Sequence, residues 1–129
     1  MPTDHIKKIV EAQFDAEQVA AVYLFGSFAT GRSNLRSDVD LGVLYRLTPP
    51  ATILDQPYDA EAELEQQIGR PVQIVVMNRA PADLVHRILR DGILVCEYDR
   101  SQRVAFEVQA RNRYWDLKPI LDLYRSKVS

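Results

Sequence analysis

An alternating segment, residues 38–45, restricts the possible folds of this chain more than any other part of the sequence. A period of two is the pattern of a β-strand, in which successive side chains point to opposite faces. One face of this predicted strand carries only apolar side chains, those of Val39, Leu41, Val43 and Tyr45. The other face begins with two carboxylates, Asp38 and Asp40, although aspartate is depleted in strands. The fold must therefore bury one face of the strand and give the paired acids a polar setting on the other.

The rest of the chain alternates between predicted strands and helices. The predicted strands are 20–25, 38–45, 72–77 and a short edge strand at 93–98. The first predicted helix is capped by Thr3 or Asp4 and ends near residue 15. Three more helices are predicted at 53–68, 81–91 and 101–127, and one short helical turn is predicted between residues 27 and 37. Pro119 is expected to kink or divide the C-terminal helix. This order, without a repeat or an internal linker, predicts a single α/β domain over residues 1–129, with a small mixed sheet flanked by helices.

Composition excludes several classes of protein. With 47% hydrophobic and 26% charged residues, the chain is typical of a globular protein rather than a disordered one. Cys96 is the only cysteine, so an internal disulfide and a cysteine-cluster zinc site are excluded, and we expect a cytoplasmic protein. We expect no signal peptide and no membrane span. The formal net charge of −2 supplies no overall field for a polyanion, so we expect no direct binding to DNA.

The two carboxylates predict a cation site. Residues two apart on a strand point the same way, with Cα atoms about 6.5–7 Å apart. At about 4 Å two bare carboxylates repel each other by roughly 1–4 kcal/mol, so we expect a positive charge between Asp38 and Asp40. A pair of aspartates, completed by water and phosphate oxygens, is a usual way in which proteins hold Mg²⁺.

Gly26 and Ser27 supply a complementary group at the end of the predicted strand 20–25. A glycine lets the backbone approach a phosphate closely, and the following amides and the serine hydroxyl can donate hydrogen bonds to its oxygens. Together with Asp38 and Asp40, these residues predict a site for a nucleoside triphosphate with magnesium. The alternative is structural: the acids cap a turn, and Ser27 is an ordinary turn residue.

Several other residues that often carry function are interpreted as structural. The histidines lack a metal-spaced partner, the cysteine is expected to be a small buried apolar residue, and the aromatic residues of the last helix predict helix packing rather than base stacking. They are His5, His86, Cys96, Tyr114, Trp115 and Tyr124. Two groups of charged residues are expected to form solvated helix faces with some internal pairing: Asp59, Glu61, Glu63 and Glu65 in one helix, and Arg100, Arg103, Arg111 and Arg113 with Glu107 and Asp116 in the last.

Gly26-Ser27, followed by Ser37-Asp38-Val39-Asp40-Leu41, resembles the signature of the DNA polymerase beta-like nucleotidyltransferase superfamily, in particular its minimal nucleotidyltransferase, or MNT, domain. The resemblance covers nearly the whole chain, because residues 72–81 and the turn at 91–92 fall where that family has its third strand, loop and following helix. It implies the polymerase beta-like palm fold, with ATP as co-substrate and Mg²⁺ held by Asp38 and Asp40. It also implies that Gly26 and Ser27 bind the triphosphate, and that Ser27, Asp38 and Asp40 are the catalytic residues.

More narrowly, the chain resembles the MNT antitoxins that are paired with HEPN-domain toxins. Those toxins are ribonucleases, and the antitoxin silences its partner by adding AMP to a tyrosine of the toxin. The resemblance therefore implies a cytoplasmic protein adenylyltransferase whose partner is a cognate HEPN-domain ribonuclease toxin.

Two positions depart from the family pattern. Gln73 stands where the superfamily usually has a third acidic residue, and a glutamine cannot act as the general base, whose help typically contributes about 10²- to 10⁴-fold to the rate. Thr30 stands where many relatives carry a basic residue, although Arg32 is close by. Two other functions therefore stay open. One is a degenerate, non-catalytic antitoxin that inhibits its partner by binding only, and the other is an enzyme that modifies a small molecule such as an aminoglycoside.

Overall fold

The computed structural model describes residues 3–33, 37–49 and 56–128. Its elements are α1 (Thr3–Gln13), β1 (Val19–Phe25), α2 (Ser27–Thr30), β2 (Val39–Tyr45), α3 (Tyr58–Ile68), β3 (Val72–Val76), α4 (Ala82–Asp91), β4 (Ile93–Glu97) and α5 (Arg100–Val128), with a 3₁₀ turn at Met77–Arg79. This order confirms the predicted alternation of strands and helices, including the short helical turn after the first strand. The helix predicted at 53–68 corresponds to α3, which begins at Tyr58; residues 53–55 lie outside the described residues.

The four strands form one mixed sheet in the order β3-β2-β1-β4. β1 pairs antiparallel with both β2 and β4, whereas β2 pairs parallel with β3. The parallel pair follows from the connection, because a chain that returns in the same direction needs a crossover, and α3 provides it. The small mixed sheet flanked by helices, with a C-terminal helix, is therefore confirmed.

The alternation of residues 38–45 divides the core in two. Val39, Leu41 and Val43 are fully buried on the face of β2 that packs against α1 and α3. On the opposite face Gly42 leaves room for α4, since a Cβ at this position would lie 3.0 Å from Met77 Sδ and 3.3 Å from Ile88 Cγ2. Each fully buried aliphatic side chain contributes roughly 1.5–3 kcal/mol to folding. The strand that carries the acids is thus held firmly from both sides.

Within residues 3–33, 37–49 and 56–128, no further strand pairs with the outer edge of β3, and side chains bond to this edge instead. The Ile74 amide donates to Glu61 Oε2 at 2.7 Å, and the Val72 amide donates to Glu65 Oε1 at 3.0 Å. Gln56 Nε2 donates to the Ile74 carbonyl oxygen at 2.9 Å. The expectation that all four acids form a solvated face is therefore wrong for Glu61, which is half-buried, whereas Glu65 is exposed as expected and also accepts a strand amide. An exposed strand edge has amides that need acceptors, and these two carboxylates supply them.

The structure of the C-terminal helix bears on two predictions. α5 is one helix with Pro119 inside it, so of the two outcomes expected at this proline, a kink or a division, the division is excluded. Pro119 is exposed, which allows water to bond the carbonyl group that the proline leaves without an amide donor. The expected packing of Trp115 and Tyr124 is wrong within the described residues, because their side chains are 57% and 67% exposed. Only Tyr114 packs as expected, with its ring stacked on His86 at a centroid distance of 3.6 Å.

Among the described residues, no helix is both long and apolar enough to cross a membrane. Cys96 is buried and unpaired, which confirms the prediction of a small buried residue.

Candidate active site at the adjoining ends of β1 and β2

The register of the sheet brings the predicted site residues together. Phe25, the last residue of β1, lies opposite Asp40 on β2, and Asp40 lies opposite Gln73 on β3. Directly opposed residues of paired strands point to the same face of a sheet. Gly26 and Ser27 therefore follow β1 beside Asp40, near the start of β2.

Gly26 is in close contact with the Asp40 carboxylate. A Cβ at residue 26 would overlap Asp40 Oδ2 and lie 3.3 Å from Asp40 Cγ. The backbone of Gly26 has a φ of +74° and a ψ of −152°, a region that is open almost only to glycine. Both the backbone conformation and the carboxylate require glycine here, so the bend after β1 and the acid on β2 form one structural unit.

The short helix α2 presents its first turn to this unit. Gly26 is its N-cap residue and offers no side-chain cap, so no side chain of residue 26 blocks the amides that follow. Ser27 is half-buried, and within the described residues no hydrogen bond involves its hydroxyl group. Uncapped amides and a hydroxyl group at such a bend can bind phosphate oxygens.

Thr30 and Arg32 stand further along the same segment. The Thr30 Oγ1 donates to the Gly26 carbonyl oxygen at 3.3 Å and to the Ser27 carbonyl oxygen at 3.5 Å. This side chain therefore bonds to its own helix. The Arg32 amide donates to the Ser27 carbonyl oxygen at 2.9 Å, and its side chain is exposed.

The two aspartates differ in burial and repel each other. Asp38 is exposed just ahead of β2, whereas Asp40 is half-buried. Burial raises the pKa of Asp40 above its ordinary value, and the charge of Asp38 raises it further. Within the residues that the structure describes, neither carboxylate is in an ion pair. A cation at this place would remove the repulsion and restore the charged form of Asp40.

The two carboxylates fit a hard divalent cation that leaves some of its coordination positions to ligands from outside the protein. No group of three or more His, Cys, Asp or Glu side chains suited to a metal occurs in residues 3–33, 37–49 and 56–128. The protein would therefore supply two carboxylates from Asp38 and Asp40. Mg²⁺ commonly takes one or two carboxylates and fills its remaining positions with water and substrate phosphates.

Gln73 borders the site on the side away from Gly26. It lies beside Asp40 in the parallel pair, on the same face, and its side chain is exposed. Adjacent strands are about 4.8 Å apart, so this amide can reach a group that stands over Asp40. An amide can donate and accept hydrogen bonds, but it cannot take up a proton at neutral pH.

Arg70 supports the site and was not found from the sequence. Its guanidinium lies over the Phe28 ring, 5.1 Å from the centroid, and its Nη1 donates to the Ser37 carbonyl oxygen at 3.3 Å. Arg70 thus connects α2 to the residue before Asp38. The only sequence signal nearby is Gly69, which marks the end of α3 and says nothing about these distant contacts.

The remaining residues considered from sequence lie outside this group. His5 is exposed on α1, and His86 is stacked on Tyr114 of α5. Arg103 pairs with Glu107, as predicted, and also with Glu97. The histidines therefore belong to other parts of the surface, and Arg103 connects α5 to β4.

Comparison with protein families identifies the arrangement. The profile of the family described as polymerase beta, nucleotidyltransferase matches residues 5–101. That range contains the whole sheet and all the site residues described above. Among curated proteins, none matches the sequence.

Solved structures of similar fold include toxin–antitoxin complexes. A chain of a crystal structure described as a toxin–antitoxin with AMP-PNP superposes with a TM-score of 0.80 at 20% identity, covering 98% of each chain. A chain of a structure described as a tri-AMPylated Shewanella oneidensis HEPN toxin in complex with MNT antitoxin gives 0.72 at 19% identity, covering 95% of this chain and 92% of that one. A structure described as a minimal nucleotidyltransferase gives 0.53 at 27% identity, covering 68% and 86%. At these identities the first two comparisons establish the fold.

Proposed function

Because the chain belongs to the polymerase beta nucleotidyltransferase family, we propose that it transfers AMP from ATP to a hydroxyl group of a partner protein. The observation that carries this proposal is the contact between Gly26 and Asp40. It joins a phosphate-binding bend to a cation-binding carboxylate. A nucleoside triphosphate with its divalent cation needs these two elements side by side.

Each site residue has a distinct task in this proposal. Gly26 and Ser27 bind phosphate oxygens of ATP through backbone amides and the serine hydroxyl. Asp38 and Asp40 hold Mg²⁺, which supplies charge neutralisation for the triphosphate and for the departing pyrophosphate when it is bound. Most of the catalysis then comes from positioning the α-phosphorus for in-line attack.

The transfer exchanges one phosphorus–oxygen bond for another. The acceptor oxygen forms a bond to the α-phosphorus, the bond from this phosphorus to the bridging oxygen of the β-phosphate breaks, and pyrophosphate leaves. The acceptor hydroxyl loses its proton to solvent, because Gln73 is a neutral amide and cannot accept it. We therefore expect a slow enzyme, since general-base help typically contributes about 10²- to 10⁴-fold.

The proposed acceptor is a tyrosine of a HEPN-domain ribonuclease toxin, with this chain as its cytoplasmic antitoxin. Support comes from the structures of similar fold, which are described as toxin–antitoxin complexes, one with AMP-PNP and one with a tri-AMPylated HEPN toxin and an MNT antitoxin. The similarity extends over 95% or more of this chain in both. Most of α5 lies beyond the matched family range, and this helix is therefore part of what these structures share with the chain.

Incubation with α-labelled ATP, Mg²⁺ and the product of the neighbouring gene tests this function. We expect label on the partner, and none with Asp38→Asn or Asp40→Asn. The matched control is Asp59→Asn, an exposed acid on α3, which should label the partner like the unmodified chain. Retention of full Mg²⁺-dependent transfer in either site variant would refute the roles given to the two aspartates.

A binding-only antitoxin is the second candidate, and Gln73 favours it. In the same assay this alternative gives a stable complex with the partner and no label. Label that appears only on an added aminoglycoside would instead identify a small-molecule transferase.

A further inference from the structure

α5 carries two apolar stripes on opposite sides. Phe106, Ala110 and Leu117 lie on one side of the helix and are half-buried, and the first two pack against the core of the domain. At 100° per residue, Val104, Val108 and Trp115 share the opposite side, and they are 42%, 46% and 57% exposed. A helix that is apolar on two sides is expected to be buried on both. The stripe of Val104, Val108 and Trp115 is therefore apolar enough to be buried, but in this structure it is exposed.

A cleft adjoins this stripe between α4 and α5. Its volume is about 340 Å³, and its walls include His86, Leu89 and Arg90 from α4, with Arg111 and Trp115 from α5. Trp115 belongs to both the cleft and the stripe, so the two form one continuous surface. We call this surface, made of Val104, Val108 and the cleft walls, the α4–α5 face.

The charge of the α4–α5 face is positive at one place. Glu107, the acid in the cleft, already accepts hydrogen bonds from the Tyr23 hydroxyl at 2.6 Å and from Arg103 at 2.9 Å. Arg90 is paired with Asp91. Arg111 has no ion pair among the residues that the structure describes. An occupant of this face should therefore bring an apolar side chain for the cleft and a carboxylate for Arg111.

We propose that the α4–α5 face docks the partner protein, which inserts an apolar side chain into the cleft beside Trp115 and places acidic side chains on Arg111. This inference rests on the proposed function, in which a protein is the acceptor. An exposed tryptophan and arginine at the rim of a cleft are the residue types that dominate binding energy at protein interfaces. The face is therefore a recognition surface separate from the nucleotide site, so that a small enzyme domain can hold a large acceptor.

A second copy of this chain fits the face less well. Two-fold pairing of the outer stripes from Val104 to Val108 and Trp115 would cover a strip about 17 Å long and about 10 Å wide, or roughly 170 Å². A stable interface buries about 800 Å² on each partner. Such pairing would also leave the cleft unfilled, and insertion of a different part of a second copy would generate an open chain of molecules.

Nucleic acid fits the face less well too. Its positive charge comes mainly from Arg111, because Arg90 and Arg103 are balanced by neighbouring acids. A polyanion is held by many cations, and it offers little to an aliphatic stripe such as Val104 and Val108. A protein surface can offer both a carboxylate for Arg111 and apolar side chains for Val104, Val108 and Trp115.

The test is calorimetric titration of the full chain with the product of the neighbouring gene, without nucleotide. Trp115→Ala should raise the Kd by about 30-fold or more, as for a central tryptophan of an interface. Arg111→Glu should raise it by about tenfold and reduce its dependence on salt. Tyr58→Ala is the matched control, because Tyr58 is 61% exposed at the start of α3, is not among the residues of the α4–α5 face, and should leave the Kd unchanged. All three variants should keep the unfolding midpoint of the unmodified chain.

Three results would overturn the proposal: no binding of the unmodified chain, an unchanged Kd for Trp115→Ala, or loss of a self-associated dimer in that variant during sedimentation. Binding of an RNA oligonucleotide that Trp115→Ala abolishes, without an effect on the protein partner, would overturn it as well.

Transfer assays separate this inference from the proposed function. A partner that binds through Trp115 but receives no label supports the docking face and refutes the enzyme. A Trp115→Ala variant that labels the partner with an unchanged KM refutes the docking face alone.

Discussion

Replacing Gly26 by alanine tests whether the bend after β1 and the Asp40 carboxylate form one unit. The new methyl group would overlap Asp40 Oδ2 and approach Asp40 Cγ to 3.3 Å. The residue would also be held at a φ of +74° and a ψ of −152°, where a side chain is strongly disfavoured. The backbone strain and the displacement of the carboxylate act on different measurable quantities.

The two effects have different sizes. Backbone strain of this kind costs about 1–3 kcal/mol, which would lower the free energy of unfolding by that amount. Displacement of Asp40 should weaken the binding of Mg²⁺ with a non-hydrolysable ATP analogue by about 10- to 100-fold, as is typical when the support of a metal ligand is lost. The second effect is specific to this glycine.

Gly69→Ala is the matched control for Gly26→Ala. Gly69 ends α3 at a φ of +82°, and a Cβ there would have no neighbour within 4 Å. We expect it to lower the free energy of unfolding by about 1–2 kcal/mol and to leave nucleotide affinity unchanged. Urea unfolding and isothermal titration with the analogue measure the two quantities. Equal nucleotide affinities for Gly26→Ala and Gly69→Ala would show that the contact with Asp40 does not matter, and the reasoning would fail.

Three further perturbations follow from the site. Burial and the charge of Asp38 raise the pKa of Asp40 in the folded protein. The folded state therefore holds the Asp40 proton more tightly than the unfolded chain does. The free energy of unfolding falls as pH rises from the ordinary pKa of 3.8 through the raised pKa of the folded state. Asp40→Asn should therefore increase the unfolding free energy at pH 7 without divalent cations and flatten this pH dependence in urea titrations; an equal or lower stability would contradict it. Arg70→Met should keep the native circular dichroism spectrum but weaken binding of the ATP analogue with Mg²⁺, since it releases Phe28 and the Ser37 carbonyl group; an unchanged affinity would remove Arg70 from the site. Gln73→Glu should accelerate transfer by up to about 10²-fold and give the rate an acidic limb in its pH profile, and a rate that does not change with pH would show that acceptor deprotonation is not limiting.

The parts of the fold that follow from local patterning could be predicted from the sequence. The alternation that ends at Tyr45 gave β2 and the face of Asp40, because the two sides of a strand are fixed by a period of two. The glycine after β1 marked the bend that leads into α2. From these features alone, Gly26, Ser27, Asp38 and Asp40 could be assigned to one small region, and the register of β1 with β2 places Asp40 beside the end of β1.

Contacts between distant segments could not be predicted. Arg70 reaches Ser37 and Phe28 only after the sheet has brought these segments together, and no periodicity encodes that meeting. Glu61 looked like any solvated acid on a helix, yet it accepts the amide of Ile74 on the strand edge. The apolar periodicity of α5 predicted a buried stripe but could not indicate that Trp115 lies on the side that the domain leaves open.

The position of Gln73 limits the negative charge around Asp40. Asp40 is already half-buried and disfavoured in its charged form by Asp38. A third carboxylate at residue 73 would stand one strand away, at about 4.8 Å, and would raise the pKa of Asp40 further. A neutral amide at residue 73 adds no such repulsion. The amide therefore leaves Asp40 easier to ionise than a third carboxylate would, but it removes a group that could take up a proton beside this residue.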